Sequence, residues 1–345
     1  MKTTISTAIL FCALIFTSCK KDKTDTQAQE KSVYILINEQ GSNNNGIGKV
    51  FKNGTLISTV GDGSTVDYFF HDMEVSGSDV YLLAYKFVPS TSTQSSVIFK
   101  NGVEIQTIPN TSGFNPNCLA VSGSDIYVCG AASTPAGGYG ALIKLWKNGV
   151  ITDITNGMNS DTRAWDMVVN GTDVYIAGYI EMNNGKKACY WKNGTLVYFD
   201  PSTTFGNSEA HRIVLDGSDV YASGYANGKA MYWKNTTAVQ LSTANSYSFG
   251  IAVNGSDIFT AAGIQQSNNN YRAASVKNGT VTQLSNPSNY SSSAYGIGIK
   301  DNDVYVIGGV NATNGSSMQA VYWKNGTENI LATNGYAEAY RIVVR

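Results

Sequence analysis

Charge is scarce in this chain. Asp, Glu, Lys and Arg make up 14% of 345 residues and sum to −1, against roughly a quarter charged in an ordinary soluble domain. There is no basic face for nucleic acid and no acidic tail. Histidine is rarer still, with His71 and His211 the only two, so no histidine cluster at metal-ligand spacing exists and no metal is expected. Five cysteines are present. With Cys12 and Cys19 set aside at the N-terminus, the odd remainder excludes a complete disulfide framework. No apolar run approaches the ~20 residues that span a bilayer as a helix. No phosphate-binding glycine loop or nucleophile elbow occurs either, and nothing calls for a cofactor. Gly, Ser, Thr, Asn and Tyr fill the space left by charge, a composition suited to turns and neutral polar surfaces.

What is there, above all, is a repeated tag. Phe51-Lys52-Asn53-Gly54 recurs as Phe99-Lys100-Asn101-Gly102, Trp146-Lys147-Asn148-Gly149, Trp191-Lys192-Asn193-Gly194, Trp233-Lys234-Asn235-Thr236, Val276-Lys277-Asn278-Gly279 and Trp323-Lys324-Asn325-Gly326. Asn-Gly between strand-like residues marks a two-residue type I′ hairpin, because both turn residues need φ > 0. Thr236 is β-branched, so that one turn is expected to take another form. The tags lie 42 to 48 residues apart, a period that signals a repeat array and overrules the two domains a length prior would give. A second tag alternates with the first: Gly77-Ser78-Asp79-Val80-Tyr81, with counterparts at Gly123, Gly171, Gly217 and Gly255, and Asp301-Asn302-Asp303-Val304-Tyr305 in place of the glycine form. Gly-Ser suits a type II′ turn and Asp-Asn a type I′ turn.

Four strands per repeat follow. Strand A enters the Gly-Ser-Asp turn, B leaves it, C carries the Lys-Asn-Gly tag, and D follows it. Apolar residues alternate in A, as in Met73 and Val75 or Leu119 and Val121, the period of a strand. The first copy begins directly at strand B with Val33, and the last adds a strand A at Tyr340–Val344. The two fragments complete each other, which removes the exposed edge. The expected fold is therefore all-β: a seven-bladed β-propeller over residues 32–345, with four antiparallel strands per blade and the last blade closed by the N- and C-terminal strands. The chain resembles kelch repeats in Val306-Ile307-Gly308-Gly309 with Tyr322 and Trp323 downstream. Kelch blades space that Tyr and Trp apart, whereas here they are adjacent.

The N-terminus reads as a targeting segment. Lys2 precedes the apolar stretch Ile9–Phe16, which ends at Phe16-Thr17-Ser18-Cys19. This resembles a bacterial lipobox, with phenylalanine where leucine is usual, and Lys20-Lys21-Asp22-Lys23 is similar to the charged start of Bacteroidetes-type surface lipoproteins. The resemblance implies a signal peptide at 1–18, a lipidated Cys19 with a flexible tether to residue 31, and a monomer anchored to the outer membrane at the cell surface. An ordinary secretory signal is the alternative.

Both kinds of hairpin turn lie at one end of every blade and are nearly uniform. The B–C and D–A connections at the other end vary, and binding residues concentrate on such loops. Of 21 tyrosines, eleven fall in or beside that end: 68, 85, 139, 179, 225, 247, 271, 290, 295, 336 and 340. Tyr with Ser, Gly and Asn is the mix that recognition loops favour. Counting back eight residues from the Asp of the second tag gives a ring at the channel mouth: His71, Asn117, Trp165, His211, Phe249, Tyr295 and Tyr340. One residue later stand Asp72, Cys118, Asp166, Arg212, Gly250, Gly296 and Arg341. Asp72, Asp166, Arg212 and Arg341 form either a polar site or two structural ion pairs. Trp165 is the only tryptophan outside the tags, and Arg163 stands two residues before it.

The expected ligand-binding residues are thus Trp165, Arg163, Asp72, Asp166, Arg212, Arg341, His71, His211, Tyr295 and Tyr340, with a glycan or another polar ligand at the variable face. A protein-docking scaffold of the envelope is the alternative. A third reading is a polysaccharide lyase, with His71 and His211 as its candidates, or a glycoside hydrolase, for which Asp72, Glu74, Asp166 and Glu209 supply carboxylates, but the sequence offers no catalytic constellation. Folding the hairpin about Gly123-Ser124 places Cys118 opposite Cys129, as a cross-strand disulfide or two buried thiols. Cys189 reads as a small core residue.

Overall fold

The computed structural model describes residues 31–345 apart from 42, 109–112, 134–140, 156–159, 184, 200–205, 286–290, 312–316 and 333–334. The expected signal peptide, Cys19 and its tether lie outside the described residues, as do Tyr139 and Tyr290. The described residues form 28 strands in seven antiparallel sheets of four, each ordered A-B-C-D. Blade 2 is representative: A is Asp67–Ser76, B Asp79–Val88, C Thr93–Lys100 and D Val103–Ile108. Blades 3 to 7 begin with strands A at Asn115–Ser122, Thr162–Asn170, Ser208–Asp216, Ser246–Asn254 and Ser291–Lys300. Each strand A packs beside that of the next blade, and the series returns to its start. The fold is a seven-bladed β-propeller.

Blade 1 is closed by the expected junction. Ala337–Val344 pairs antiparallel with Val33–Gln40, from Val33↔Val344 to Glu39↔Ala337. Ser32 and Arg345 exchange backbone hydrogen bonds just beyond, where other blades have their A–B turn.

The core lies between blades. Trp191, Trp233 and Trp323 of the tags are fully buried, and Trp146 nearly so. The tag aromatic of strand C packs toward the neighbouring blade: Trp233 stacks on Phe199 at 5.7 Å and sits among Ala177 and Ala188 of blade 4.

The two tags meet in space. Asn101 Oδ1 accepts the Val80 N–H at 2.9 Å, and Asn101 Nδ2 donates to Asp79 Oδ1 at 2.8 Å. Lys100 reaches Asp79 Oδ2 at 2.8 Å while lying over the Tyr81 ring. The same set repeats at Asp125, Asp173, Asp219, Asp257 and Asp303. In blade 1 Ser32 occupies the aspartate's place, yet Asn53 still accepts the Val33 N–H. The Lys and Asn of the first tag and the Asp of the second are therefore one cross-strand lock.

The turn asparagines have φ of 47–54° and the glycines after them 82–97°, the backbone a type I′ turn requires. Thr236 does not share the positive φ of those glycines, and its turn takes another form as expected. The Asp-Asn turn departs from expectation. Asp301 has φ 57°, like the glycines it replaces at 59–61°, but Asn302 is not left-handed. Asp301 therefore imitates the glycine of its sister turns instead of switching the turn to type I′.

Candidate ligand site at the mouth of the channel

Every strand A carries a β-bulge at the same place. Its pairing with strand B slips between Phe70 and Asp72, Pro116 and Cys118, Ala164 and Asp166, Ala210 and Arg212, Ser248 and Gly250, and Ala294 and Gly296. In blade 1 it slips around Tyr340. The bulged residues are His71, Asn117, Trp165, His211, Phe249, Tyr295 and Tyr340, the ring found by counting back from the second tag. A bulge inserts one extra residue and re-aims the side chains around it. Two consecutive residues thereby face the channel: His211 and Arg212 line one cavity, Tyr340 and Arg341 another. The residues just before the bulge (Phe70, Ala164, Ala210, Ser248, Ala294 and Ala339) are buried within the blades.

The bulged side chains surround a cavity of about 150 Å³, with Arg212 at its inner end. Six of the seven are aromatic, and neighbours touch. Trp165 meets His211 at 5.6 Å, His211 stacks on Phe249 at 4.7 Å, Phe249 lies 5.8 Å from Tyr295, and Tyr295 6.4 Å from Tyr340. Phe69 continues the arc, 5.8 Å from Tyr340 and 5.1 Å from His71. The arc is interrupted at Asn117, whose amide donates to Ala164 O at 2.9 Å. There a second cavity of about 440 Å³ begins, sharing His71 and Asn117 with the first and lined also by Phe69, Tyr85, Asn115 and Arg163. His71 and His211, in separate blades, thus face one cavity. Burial holds the His71 imidazole down at about 4, so it is neutral at pH 7.

Glu209 organises one side of the mouth. Trp165 Nε1 donates to its Oε2 at 3.0 Å, Lys186 Nζ to Oε1 at 2.6 Å and Tyr225 OH to Oε1 at 2.7 Å, with His211 Nε2 at 3.5 Å. Burial alone would raise this carboxyl, but the hydrogen bonds from His211, Lys186 and Tyr225 outweigh it and hold it at about 2. Trp165 is thereby fixed edge-on, and its outer face carries the Arg163 guanidinium at 4.3 Å. Nearly opposite in the ring, Glu338 accepts from Tyr295 at 3.1 Å and from Tyr336 at 2.6 Å.

Beneath the arc the four predicted ionisable residues come together. Arg341 Nε stands 2.7 Å from Asp72 Oδ1, and Arg341 Nη2 donates to Asp166 Oδ1 at 3.0 Å. Asp72 also accepts the N–H groups of Met73 and Leu119, and Asp166 that of Ile213. Each aspartate therefore ties its blade to the next one. Among the described residues Arg212 reaches only Asp166 Oδ1, at 3.5 Å. The remaining positions of this inner ring are closed by small residues: a Cβ at Gly250 would fall 2.8 Å from Gly296 Cα.

Cys118, in the same ring, pairs directly with Cys129, and the two form a disulfide. Cys189 is buried, and burial raises its thiol well above the usual range.

The turn end holds a surprise. A cavity of about 620 Å³, larger than either of the two at the mouth, opens there. Aliphatic residues of five strands A line it, with Glu74 and Arg345 paired at 2.7 Å. The uniform turns at this end gave no sign of it in the sequence. Phe69 and Lys186 went equally unmarked there, and Glu209 had no assigned partner. Phe69, Arg163, Glu209 and Glu338 all stand two residues before a bulge, a position that could have been counted out once the bulge was known.

Among the described residues no group of His, Cys, Asp and Glu is arranged to hold a metal. No family model matches the sequence, and no curated protein matches it. Solved structures share the fold. A puromycin hydrolase is 9% identical with a TM-score of 0.55, over 88% of this chain and 52% of that one. A puromycin-hydrolyzing peptidase of Mycobacterium tuberculosis is 9% identical with a TM-score of 0.50, over 90% and 52%. This chain spans about half the length of each.

Proposed function

We propose that this chain is an envelope lipoprotein of the Bacteroidetes type, anchored through Cys19, whose propeller binds a glycan at the channel mouth. The observation that carries the reading is the arc of aromatic rings around the mouth cavity. Aromatic faces give rigid apolar area for sugar rings, and Tyr, Trp and Asn edges supply hydrogen bonds. The adjoining larger cavity, reached past Asn117, gives room for more than one sugar unit. The Cys118–Cys129 disulfide fits an oxidising compartment outside the cytosol.

A glycan array with wild type and Trp165→Ala tests the binding. Wild type is expected to retain a defined subset of glycans and the variant to lose it. Identical profiles, or no retained glycan, would count against the reading. For the anchor, metabolic labelling with an alkyne fatty acid should mark wild type and not Cys19→Ser. Equal labelling of both would remove the lipoprotein assignment.

A protein scaffold is the second reading. It is favoured by exposed aliphatic residues on outermost strands, among them Val103 and Val150 at 66% exposure each. In-cell cross-linking from these positions that recovers no partner would sink it.

A further inference from the structure

The four charges beneath the mouth are formally balanced, but their contacts are not. Arg341 takes both aspartates at short range. The aspartate oxygens are further occupied by backbone N–H groups: Met73 on Asp72 Oδ1, Leu119 on Asp72 Oδ2 and Ile213 on Asp166 Oδ2. Arg212 is left with Asp166 Oδ1, which it shares with Arg341, at a distance too long for a strong charge-assisted bond. A guanidinium presents five N–H donors in a planar fork suited to paired oxygens. That of Arg212 is largely buried, at 18% side-chain exposure, and borders the mouth cavity. Burial and the neighbouring Arg341 both push its pKa down, as expected for a cation whose local compensation is incomplete.

The rest of the mouth is polarised in the same sense. Arg163 lies over Trp165 at the edge of the larger cavity. Glu209, the nearest carboxylate on that side, is engaged by Lys186. Glu338, which pairs with no cation among the described residues, stands nearly across the ring beside Tyr295 and Tyr336. An anionic group entering between Trp165 and Asn117 therefore meets Arg163 first and Arg212 at the bottom, away from Glu338. The cavity volume of about 150 Å³ corresponds to roughly five waters, enough for an oxyanion and part of the ring that bears it.

We propose that the mouth selects an acidic sugar, with the carboxylate or sulfate oxygens received by the Arg212 fork and Arg163 guiding the charge at the rim. The inference rests on the glycan reading and narrows it to a substrate class. Isothermal titration of the mature chain tests it with an oligoglucuronate, its carboxyl-reduced neutral counterpart and inorganic sulfate. The acidic form is expected to bind at least tenfold tighter than the neutral form, with sulfate competing. Arg212→Gln should abolish that discrimination, and Arg163→Gln, at an exposed site, should reduce it by a few-fold. Should Arg212→Gln not fold, Arg212→Lys keeps the charge, removes the fork and should lose most of the preference. Equal binding of acidic and neutral forms overturns the inference and leaves the glycan reading standing. Sulfate binding without any sugar binding keeps the anion site and removes the glycan reading. No binding of any probe removes both.

Discussion

The two ends of this propeller are built from the same repeat and behave in opposite ways. At the turn end, six blades place Lys, Asn and Asp in one arrangement, and each polar group is satisfied within its blade. At the mouth the backbone repeats just as faithfully, with a bulge in all seven strands A, but the side chain at the bulge changes among His, Asn, Trp, Phe and Tyr. Identity repeated along a chain marks chemistry that is consumed internally. A position that repeats while its residue changes marks a surface built for something else. The difference teaches where stability and recognition reside, and it can be broken deliberately.

The largest effect is expected beneath the mouth. Arg341→Ala leaves Asp72 and Asp166 buried without their shared cation, a change that costs about 3–5 kcal/mol and is read by urea unfolding. A loss under 1 kcal/mol would mean that water compensates the aspartates. Glu209→Gln comes next, at about 2 kcal/mol near neutral pH, because charge-assisted bonds from Lys186, Tyr225 and Trp165 weaken. The sign follows from the carboxyl held at about 2. Its stabilisation is fully present above the ordinary value near 4.5 and is lost as pH falls through 2. Wild type and variant should therefore converge in unfolding free energy across that window, and parallel profiles would contradict the network.

At the turn end, Asn148→Ala removes the acceptor of the Ile126 N–H and the donor to Asp125, and it leaves alanine at φ 47°. A loss of about 1–2 kcal/mol is expected, with glycan binding unchanged. A change in binding would breach the separation between the ends. The smallest effect is a gain. Asp301→Gly relieves a left-handed non-glycine residue and should stabilise by about 0.5 kcal/mol, the strain relieved being partly offset by glycine's entropy. Destabilisation would show that Asp301 holds its turn by other means.

Much of this was legible in the sequence, for reasons that also explain what was not. Hairpin turns of two residues fix register, so the Lys-Asn-Gly and Gly-Ser-Asp tags counted the blades and placed Cys118 opposite Cys129. Whether those thiols join is a matter of oxidation, which register does not decide. The ring from His71 to Tyr340 could be counted because all blades share one strand A length to the turn. Its neighbours could not, because a bulge breaks the alternation of faces from which inward and outward residues are inferred. Phe69 was missed for that reason, and Glu209, though named as a carboxylate, could not be joined to Trp165. The funnel at the turn end escaped as well, since valines and isoleucines that read as core face an axis that seven blades leave unfilled.

The closing strand has a consequence for the order in which the molecule can be made. Val33 pairs with Val344 across nearly the whole length of the propeller, and contacts of such sequence separation are the slowest to form. Earlier blades can zip into sheets as hairpins, but blade 1 keeps an open edge until Ala337–Val344 arrives. That same strand delivers Tyr340 to the arc and Arg341 to the aspartates. Ring closure and assembly of the mouth are therefore one late kinetic event, and a chain halted before it would own six finished blades and an open arc.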